Sequence, residues 1–427
     1  MTERRPPSKQ NPREYSLFQL SKAETLADPY PFYQRLREQE PVRWDPFMHS
    51  WVITSYAETV TVLSKYKADR APTPEQLNNM GLSVLSPYAA LMKKQLLFMD
   101  PPTHTRLRSL CAAAFAPKRV ELFRQASVKI ANDLIDHVQE QGSMDLIKDF
   151  AGPFPSILLA VLMGLPVADH EQIKQWASDF VELLGNFEHD LDRMKHIVAS
   201  VEQLRVYISE KVTEQRSEPC EGVISTLLST VIDGSMLNDE EMIANSMLFI
   251  AGGLEEMTNL IGSGMLSLLR RPETFAQLRD HPEILPSAIE ELMRFEAPTQ
   301  YTGRIAPEDA VLGGKAIRKG DSLITVLAAA NRDPARFPDP DRLDLTRSDN
   351  RHVSFGWASH YCIGAPLTRL AGQIAFATLL GRLPDMQLMT TDPIWRGMAA
   401  MRGVNSLQIK FQAQAAVAAR EGGQIVD

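Results

Sequence analysis

Cysteine is scarce in this sequence. The 427 residues include three cysteines, Cys111, Cys220 and Cys362, and no Cys/His cluster with the spacing of a zinc site. An odd, low number of cysteines spread along the chain does not form a disulfide framework. It indicates a reducing compartment, so we expect a cytoplasmic protein.

Long hydrophobic runs and an excess of positive charge are also missing. No apolar stretch approaches the roughly 20 residues that cross a bilayer, and the polar, proline-containing residues 1–14 do not resemble a signal peptide. A formal net charge of −8 argues against nucleic acid as a partner. We therefore expect neither a membrane nor a nucleic-acid partner. We also expect a disordered leader over residues 1–20 and a flexible tail over residues 413–427.

What is present is a pattern typical of a mainly α protein with a minor β part, folded as one domain over residues 21–412. Strands are predicted at 42–44 and 50–54, with a second β region over 305–327. Residues 71–97, interrupted by Pro, Asn and Gly, are predicted to form a long loop. The predicted helices cover 29–40, 103–115, 118–141, 156–163, 169–184, 191–215, 238–269, 272–280, 285–295 and 365–382.

Cys362 lies in a glycine-containing loop, Phe355-Gly-Trp-Ala-Ser-His-Tyr-Cys-Ile-Gly364, which leads directly into a helix. Backbone N–H groups at a helix start stabilise a thiolate relative to a thiol. Gly356 and Gly364 allow the backbone to approach a flat ligand closely. A lone cysteine is more often a buried structural residue, so the interpretation depends on its neighbours.

This loop resembles the heme-binding signature of the cytochromes P450, in which a phenylalanine and glycines surround the ligand cysteine. Seven positions match: Phe355, Gly356, His360, Cys362, Gly364, Leu367 and Arg369. Two positions depart, because Ala358 replaces a glycine and Thr368 replaces an alanine. Glu291 and Arg294 resemble the family's Glu-x-x-Arg pair, for which Arg342 is the expected third partner.

The resemblance implies the cytochrome P450 fold, with heme b between the long central helix and the helix that follows the cysteine loop. Cys362 would bind the iron, and Phe355 and Gly364 would contact the cofactor. Heme carries two carboxylates that need cationic or hydrogen-bonding partners. The positions that match the family's carboxylate partners are His104, Arg108, Arg304 and His352.

The central helix departs from the family where dioxygen binds. Gly252, Gly253 and Glu255 match, but Glu256 stands where the family usually has a threonine. Thr258 cannot replace it, because two residues turn a helix by about 200°. Glu255 is expected to serve proton delivery. For Glu256 three roles stay open: an acid-base for hydrogen peroxide, a contact to a cationic or hydroxyl-bearing substrate, or a group turned aside while a substrate hydroxyl or water relays protons.

The activity implied by the resemblance is oxidation of a medium-sized, largely apolar organic molecule, for example in secondary metabolism. The expected oxidant is dioxygen, with electrons from a separate ferredoxin or flavodoxin, since no flavin or iron–sulfur motif is fused to the chain. Arg106, Lys118, Arg119 and Arg369 would present a basic surface to that donor. The expected substrate-pocket residues are Phe98, Leu248, Ala251, Gly252, Gln300, Tyr301 and Met401.

Three alternatives remain open from the sequence. One is a peroxygenase driven by hydrogen peroxide, with Glu256 as the acid-base. Another is a heme or ligand-binding protein without catalysis, suggested by the missing threonine. A heme-free scaffold protein is the third, and the matching Cys362, His104, Arg108 and Arg304 argue against it.

Overall fold

Helices dominate the computed structural model, which describes residues 12–185, 190–390 and 392–414. The α-helices of these residues are α1 (Ala23–Ala27), α2 (Tyr30–Gln39), α3 (Tyr56–Lys65), α4 (Pro74–Asn79), α5 (Ser86–Met92), α6 (Thr103–Ala112), α7 (Pro117–Leu122), α8 (Arg124–Asp136), α9 (Pro153–Met163), α10 (His170–Gly185), α11 (Leu191–Ser217), α12 (Val223–Ser229), α13 (Asp239–Leu269), α14 (Pro272–Asp280), α15 (Leu285–Phe295), α16 (Leu327–Ala330) and α17 (Ala365–Arg382). No helix in these ranges combines the length and apolarity needed to cross a bilayer.

The strands form small separate sheets. They are β1 (Val42–Asp45), β2 (Ser50–Ile53), β3 (Ser143–Asp145), β4 (Thr302–Ile305), β5 (Ala310–Leu312), β6 (Lys315–Ile317), β7 (Ser322–Thr325), β8 (Gln387–Leu388) and β9 (Gln408–Lys410). The largest sheet has the order β1-β2-β7-β4, and β2 pairs with β7 in parallel. The mainly α architecture with a minor β part is confirmed.

Helix α13 is the long central helix of the fold. Its start is a capping box, in which the Asn238 side chain accepts from the Glu241 N–H and the Glu241 carboxylate accepts from the Asn238 N–H. The 31 residues extend roughly 46 Å, at about 1.5 Å each, without interruption at Gly252 and Gly253. Helices α9, α10, α11 and α17 pack around it. This packing places the middle of α13 beside the start of α17.

The loop predicted over residues 71–97 is wrong, because α4 and α5 lie within it. The signal for α4 was present in the sequence: Thr73 caps the helix through the Gln76 N–H, and Pro74 occupies the first turn. Helix α3 was not predicted either, since its apolar stripe is short. Both regions are helical because their few apolar residues, such as Leu77 and Val62, are buried against neighbouring elements.

The folded part of the chain begins earlier than predicted. Residues Leu17–Ser21 form a 3-10 helix, and Leu17 and Leu20 are buried in a hydrophobic cluster with α2. The Asp45 carboxylate accepts hydrogen bonds from the Ser16 hydroxyl and the Leu17 N–H. The predicted disorder is therefore wrong for residues 12–20. Residues 1–11 and 415–427 lie outside the described part of the chain.

Candidate active site

The cysteine loop is held in shape by its own backbone. The Cys362 N–H donates to the Phe355 carbonyl at 2.7 Å, and helix α17 begins three residues after the cysteine. Gly356 has a φ of 72°, and a Cβ there would lie 3.1 Å from the His360 carbonyl oxygen. Cys362 and Gly364 line a cavity whose opposite wall is the middle of α13. The loop therefore presents the sulfur to the space between α17 and α13.

At neutral pH the Cys362 side chain is more stable as a thiol than as a thiolate unless a metal cation binds the sulfur. Burial, with a further contribution from Glu256, raises the pKa of the Cys362 thiol to about 11, although the Gly364 and Ala365 N–H groups act in the opposite direction. The loop donors expected from the sequence are present, but burial outweighs them. A metal ion deprotonates a coordinating thiol outright. The donor set therefore fits an iron-bound thiolate.

Basic side chains crowd one end of the same cavity. Arg108, Arg304 and His360 line it, and the His104 ring stacks on the His360 ring with the centroids 4.0 Å apart. His104 Nε2, Arg304 Nε and both ring nitrogens of His360 are buried without a hydrogen-bond partner among the described residues. Burial, together with His104 and nearby arginines, lowers the pKa of His360 to about 3.

These groups fit the two carboxylates of heme. Burial and the neighbouring Arg304 lower the pKa of Arg70, the next guanidinium in this cluster, to about 9. The Asp100 carboxylate is close by, yet it accepts from the Ala68 N–H at 2.8 Å. Unpartnered donors around a cavity with excess positive charge call for a bound dianion. His104, Arg108 and Arg304 are thus brought together as predicted.

His352 is not brought to the cavity wall. Its Nε2 lies 3.4 Å from the Glu290 carboxylate, and its ring packs beside Phe355 at 5.6 Å. Burial opposes the shift, but Arg369 and His352 lower the pKa of Glu290 to about 2. The cofactor contact predicted for His352 remains untested, and the structure shows a contact to Glu290 instead. Phe355, in contrast, lines the cavity as expected.

The two acids in the middle of α13 have different surroundings. Glu255 is buried, pairs with Arg396 and accepts from the Ser178 hydroxyl at 2.6 Å, away from the cavity. Glu256 lines the cavity, and its Oε1 lies 3.5 Å from the Thr299 hydroxyl. Its Oε2 is buried without a hydrogen-bond partner among the described residues, and burial raises the pKa of Glu256 to about 8. Thr258 donates to its own helix, at the Leu254 carbonyl.

The predicted pocket residues are only partly placed at the cavity. Leu248 and Gly252 line it, and a Cβ on Gly252 would meet no atom within 4 Å. The remaining five residues do not line this cavity, and their substrate contact stays a prediction: Phe98, Ala251, Gln300, Tyr301 and Met401.

The reason in each case is the direction of the side chain. Phe98 packs beneath Arg70, and Ala251 is buried on another face of α13. Gln300 accepts from the Tyr33 hydroxyl at 3.0 Å on the far side of its segment, and Tyr301 packs in that same cluster. Met401 lies behind the wall, where its sulfur accepts from the Thr299 hydroxyl at 3.7 Å.

Two site residues were missed from the sequence. His360 was quoted within the loop but was not assigned to the cofactor, although its position next to Cys362 was the available signal. Thr299 faces the cavity while Gln300 points away, because successive residues of an extended segment face opposite sides. In this segment the residue that lines the cavity is therefore Thr299, next to the predicted Gln300.

The basic surface predicted for an electron donor is partly neutralised. Arg106 pairs with Glu241, and Arg369 forms two hydrogen bonds with Glu290 at 2.7 and 2.8 Å. Lys118 and Arg119 are exposed on α7, which packs against α17. These two charges remain at the surface on the cysteine side of the cavity.

A cavity between a cysteine loop and a long helix, with a dianion-binding end, defines a heme-thiolate protein. The chain belongs to the cytochrome P450 family: the family model described as Cytochrome P450 matches residues 73–395. It is thus a P450 monooxygenase, an oxidoreductase whose cofactor is heme b. The family resemblance predicted from the cysteine loop is confirmed.

Individual relatives match over nearly their whole length. The biotin biosynthesis cytochrome P450 of Bacillus subtilis is 34% identical over 91% of this chain and 98% of its own length. Cytochrome P450 monooxygenase PikC of Streptomyces venezuelae is 35% identical, over 90% and 92%. Among solved structures, P450BioI in complex with hexadec-9Z-enoic acid ligated acyl carrier protein matches with a TM-score of 0.85 and 34% identity, covering 91% of this chain and 99% of that one.

Proposed function

We propose that this monooxygenase oxidises a medium-sized, largely apolar organic molecule, using dioxygen and electrons from a separate ferredoxin or flavodoxin. The observation that carries the proposal is the cavity above Cys362, whose substrate side is walled by Leu96, Leu97, Leu159, Leu248 and Phe249. Burial of apolar surface in such a cavity stabilises binding by about 25 cal/mol per Å². A similar solved structure carries a fatty acyl ligand, which supports an apolar substrate. We also propose a cytoplasmic location and a catalytic domain that ends near residue 412.

We propose the following division of roles among the chain's own residues. Cys362 holds the iron, and His104, Arg108, Arg304 and His360 bind the two carboxylates of the cofactor. Bound heme supplies the redox chemistry that activates oxygen. Glu255 belongs to the proton-delivery path from its position behind the cavity, Glu256 holds a proton at the cavity wall, and the apolar wall excludes water from it.

The direct test is loss of the thiolate. Cys362→Ala should abolish the absorbance near 450 nm that a thiolate-ligated ferrous heme gives with carbon monoxide, and it should abolish turnover. Cys220→Ala, at an exposed cysteine, is the matched control and should leave both unchanged. The proposed function fails if the native protein, with heme, a surrogate donor and a panel of apolar substrates, forms no oxidised product.

A second candidate is peroxide-driven oxidation, favoured by the carboxylate of Glu256 in the cavity wall. A carboxyl group with a pKa near neutrality can take a proton from hydrogen peroxide and return it to the leaving oxygen. Binding of heme without any turnover, with either oxidant, would instead support a ligand-binding protein.

The donor site is proposed to include Lys118 and Arg119. Both charges are exposed on α7, beside the helix that follows the cysteine loop. Complementary charge steers a partner and raises the rate of association. An acidic ferredoxin or flavodoxin would therefore meet the chain on this face.

A further inference from the structure

The carboxylate of Glu256 is the feature of the cavity that the oxidation of a purely apolar molecule leaves unexplained. We propose that Glu256 binds a positively charged nitrogen of the substrate, so that the substrate class is an amphipathic organic cation. This inference rests on the proposed oxidation of a medium-sized organic molecule, and it specifies the charge of that substrate.

The geometry leaves the Glu256 carboxylate poorly supplied with partners from the protein. Oε1 has only a long contact, 3.5 Å, to the Thr299 hydroxyl, which also lies 3.7 Å from the Met401 sulfur. Oε2 is buried and has no hydrogen-bond partner in the described part of the chain. Glu256 lines the cavity, so its carboxylate group lies at the wall that a bound molecule would contact.

The neighbouring acid, Glu255, is a carboxylate whose partners are supplied by the protein itself. Glu255 is buried and has a cation, Arg396, and a hydroxyl donor, Ser178, while Glu256 is half-buried at the cavity wall. Glu256, one residue later, has no Lys, Arg or His within 4 Å among the described residues. The described residues therefore supply no cation to pair with Glu256.

The other cations of the cavity cannot fill this role. Arg108 and Arg304 lie at the end that fits the carboxylates of heme, together with His360, whose pKa of about 3 leaves its ring uncharged. Ionisable groups at the cavity are thus divided into a basic end for the cofactor and a single acid, Glu256, on the side of α13. A cationic substrate complements this division, and an anionic one would be repelled.

Energetics favour a cation over a neutral polar group. Ionisation of a buried carboxyl group without a partner is unfavourable, and an opposite charge within about 4 Å favours the ionised form. The surrounding leucines and Phe249 would hold the hydrocarbon part of the molecule. The complementary substrate is therefore apolar over most of its length and cationic at one point.

The test is calorimetric binding to the heme-loaded protein, with probes that share one chain length. Octyltrimethylammonium carries a fixed charge and cannot bind iron through nitrogen, while octan-1-ol and octanoate supply the neutral and anionic cases. We expect the native protein to bind the cation at least tenfold more tightly than the alcohol, and the anion most weakly. Glu256→Gln, which keeps the size of the side chain, should lose at least tenfold in affinity for the cation and less than twofold for the alcohol.

Two controls are needed to interpret the binding measurement. The absorbance near 450 nm with carbon monoxide must be retained in Glu256→Gln, which shows that the variant is folded and holds heme. Glu240→Gln, which neutralises an exposed acid at the start of the same helix, should leave cation binding within twofold of the native value. Equal affinity of the native protein for cation and alcohol, or an unchanged cation affinity in Glu256→Gln, would overturn the inference. Oxidation of neutral apolar molecules in that case would leave the proposed function intact.

Discussion

Ala358 has a φ of 54°, a left-handed backbone conformation that side chains with a Cβ adopt at a cost of about 1–2 kcal/mol. The family signature has glycine at this position, and the structure shows why: the loop turns back there to bring Cys362 to the cavity. Alanine therefore keeps the turn but carries local strain beside the iron ligand.

Ala358→Gly should relieve this strain. We expect the free energy of unfolding to rise by about 0.5–1 kcal/mol, since the lost strain exceeds the extra backbone entropy of glycine in the unfolded chain. For a chain of this length the shift in Tm is only about 1 °C. Thermal unfolding of the heme-loaded protein measures it.

Ala377→Gly is the matched control for this substitution. Ala377 is exposed within α17, where glycine should lower stability by about 1 kcal/mol. Opposite signs for the two variants would confirm that the backbone at position 358, and not glycine in general, decides the effect. A loss of stability in both variants would show that the backbone at Ala358 is not strained.

The pKa of Glu256 predicts how peroxide-driven turnover depends on pH. A base must be ionised to take a proton, and burial raises the pKa of this carboxyl group to about 8. Turnover with hydrogen peroxide should therefore rise about tenfold from pH 6 to pH 7 and level off above pH 8. Initial rates from pH 6 to pH 9 measure this.

Glu256→Gln cannot ionise and should give a low rate that is flat over the same range. A rise with pH that persists in this variant would assign the dependence to another group, and Glu256 would not be the base. This experiment is independent of ligand charge, so it separates the acid-base role from the binding role.

At the scale of elements, the buried ion pair of α15 joins the helix to the segment before the cysteine loop. Glu291 and Arg294 are fully buried and 2.7 Å apart, and Arg294 donates to the carbonyls of Pro340 and Arg342. The Arg342 side chain was expected to be the third partner of this pair. That prediction is wrong, because Arg342 is exposed and pairs with Asp344. Arg347 instead lies 3.2 Å from Glu291.

Arg347→Ala should destabilise the protein far more than Arg342→Ala. Removing Arg347 withdraws a charge from the buried Glu291 carboxylate and removes hydrogen bonds to the Pro338 and Asp339 carbonyls, at a cost of about 2–3 kcal/mol. Arg342→Ala affects an exposed pair and should stay within about 0.5 kcal/mol. Thermal unfolding and heme content compare the two, and equal effects would contradict the assignment of Arg347.

The elements themselves were largely predictable, and their contacts were not. The capping residue Asn238 and the long apolar stripe locate α13 from sequence alone, because both signals are local. The choice between Arg342 and Arg347, or between Thr299 and Gln300, depends on how distant segments fold over α15 and α13. Only the three-dimensional packing determines which side chain faces inwards.

At the scale of the whole molecule, the exposed charges of α7 predict the response to an electron donor. Lys118→Glu combined with Arg119→Glu should raise the KM for an acidic ferredoxin or flavodoxin about tenfold at low salt. Turnover with hydrogen peroxide should be unchanged, since no donor is then needed. Steady-state rates at several donor concentrations measure the effect.

Lys319→Glu, on the turn between β6 and β7, changes charge in the same sense and serves as the control. It should leave the KM for the donor within about twofold of the native value. An effect as large as that of the α7 variant would mean that overall charge, and not a local docking surface, governs the encounter.

The parallel pairing of β2 with β7 also governs the order in which the protein can be assembled. Trp51 pairs with Leu323, so the partner of β2 leaves the ribosome about 270 residues later. At about 5–20 residues per second, that interval lasts roughly 15–50 seconds. During that time the early hairpin of β1 and β2 has an unpaired edge, which is where nascent chains associate wrongly. The cysteine loop emerges later still, so heme can be inserted only after residue 362 has left the ribosome.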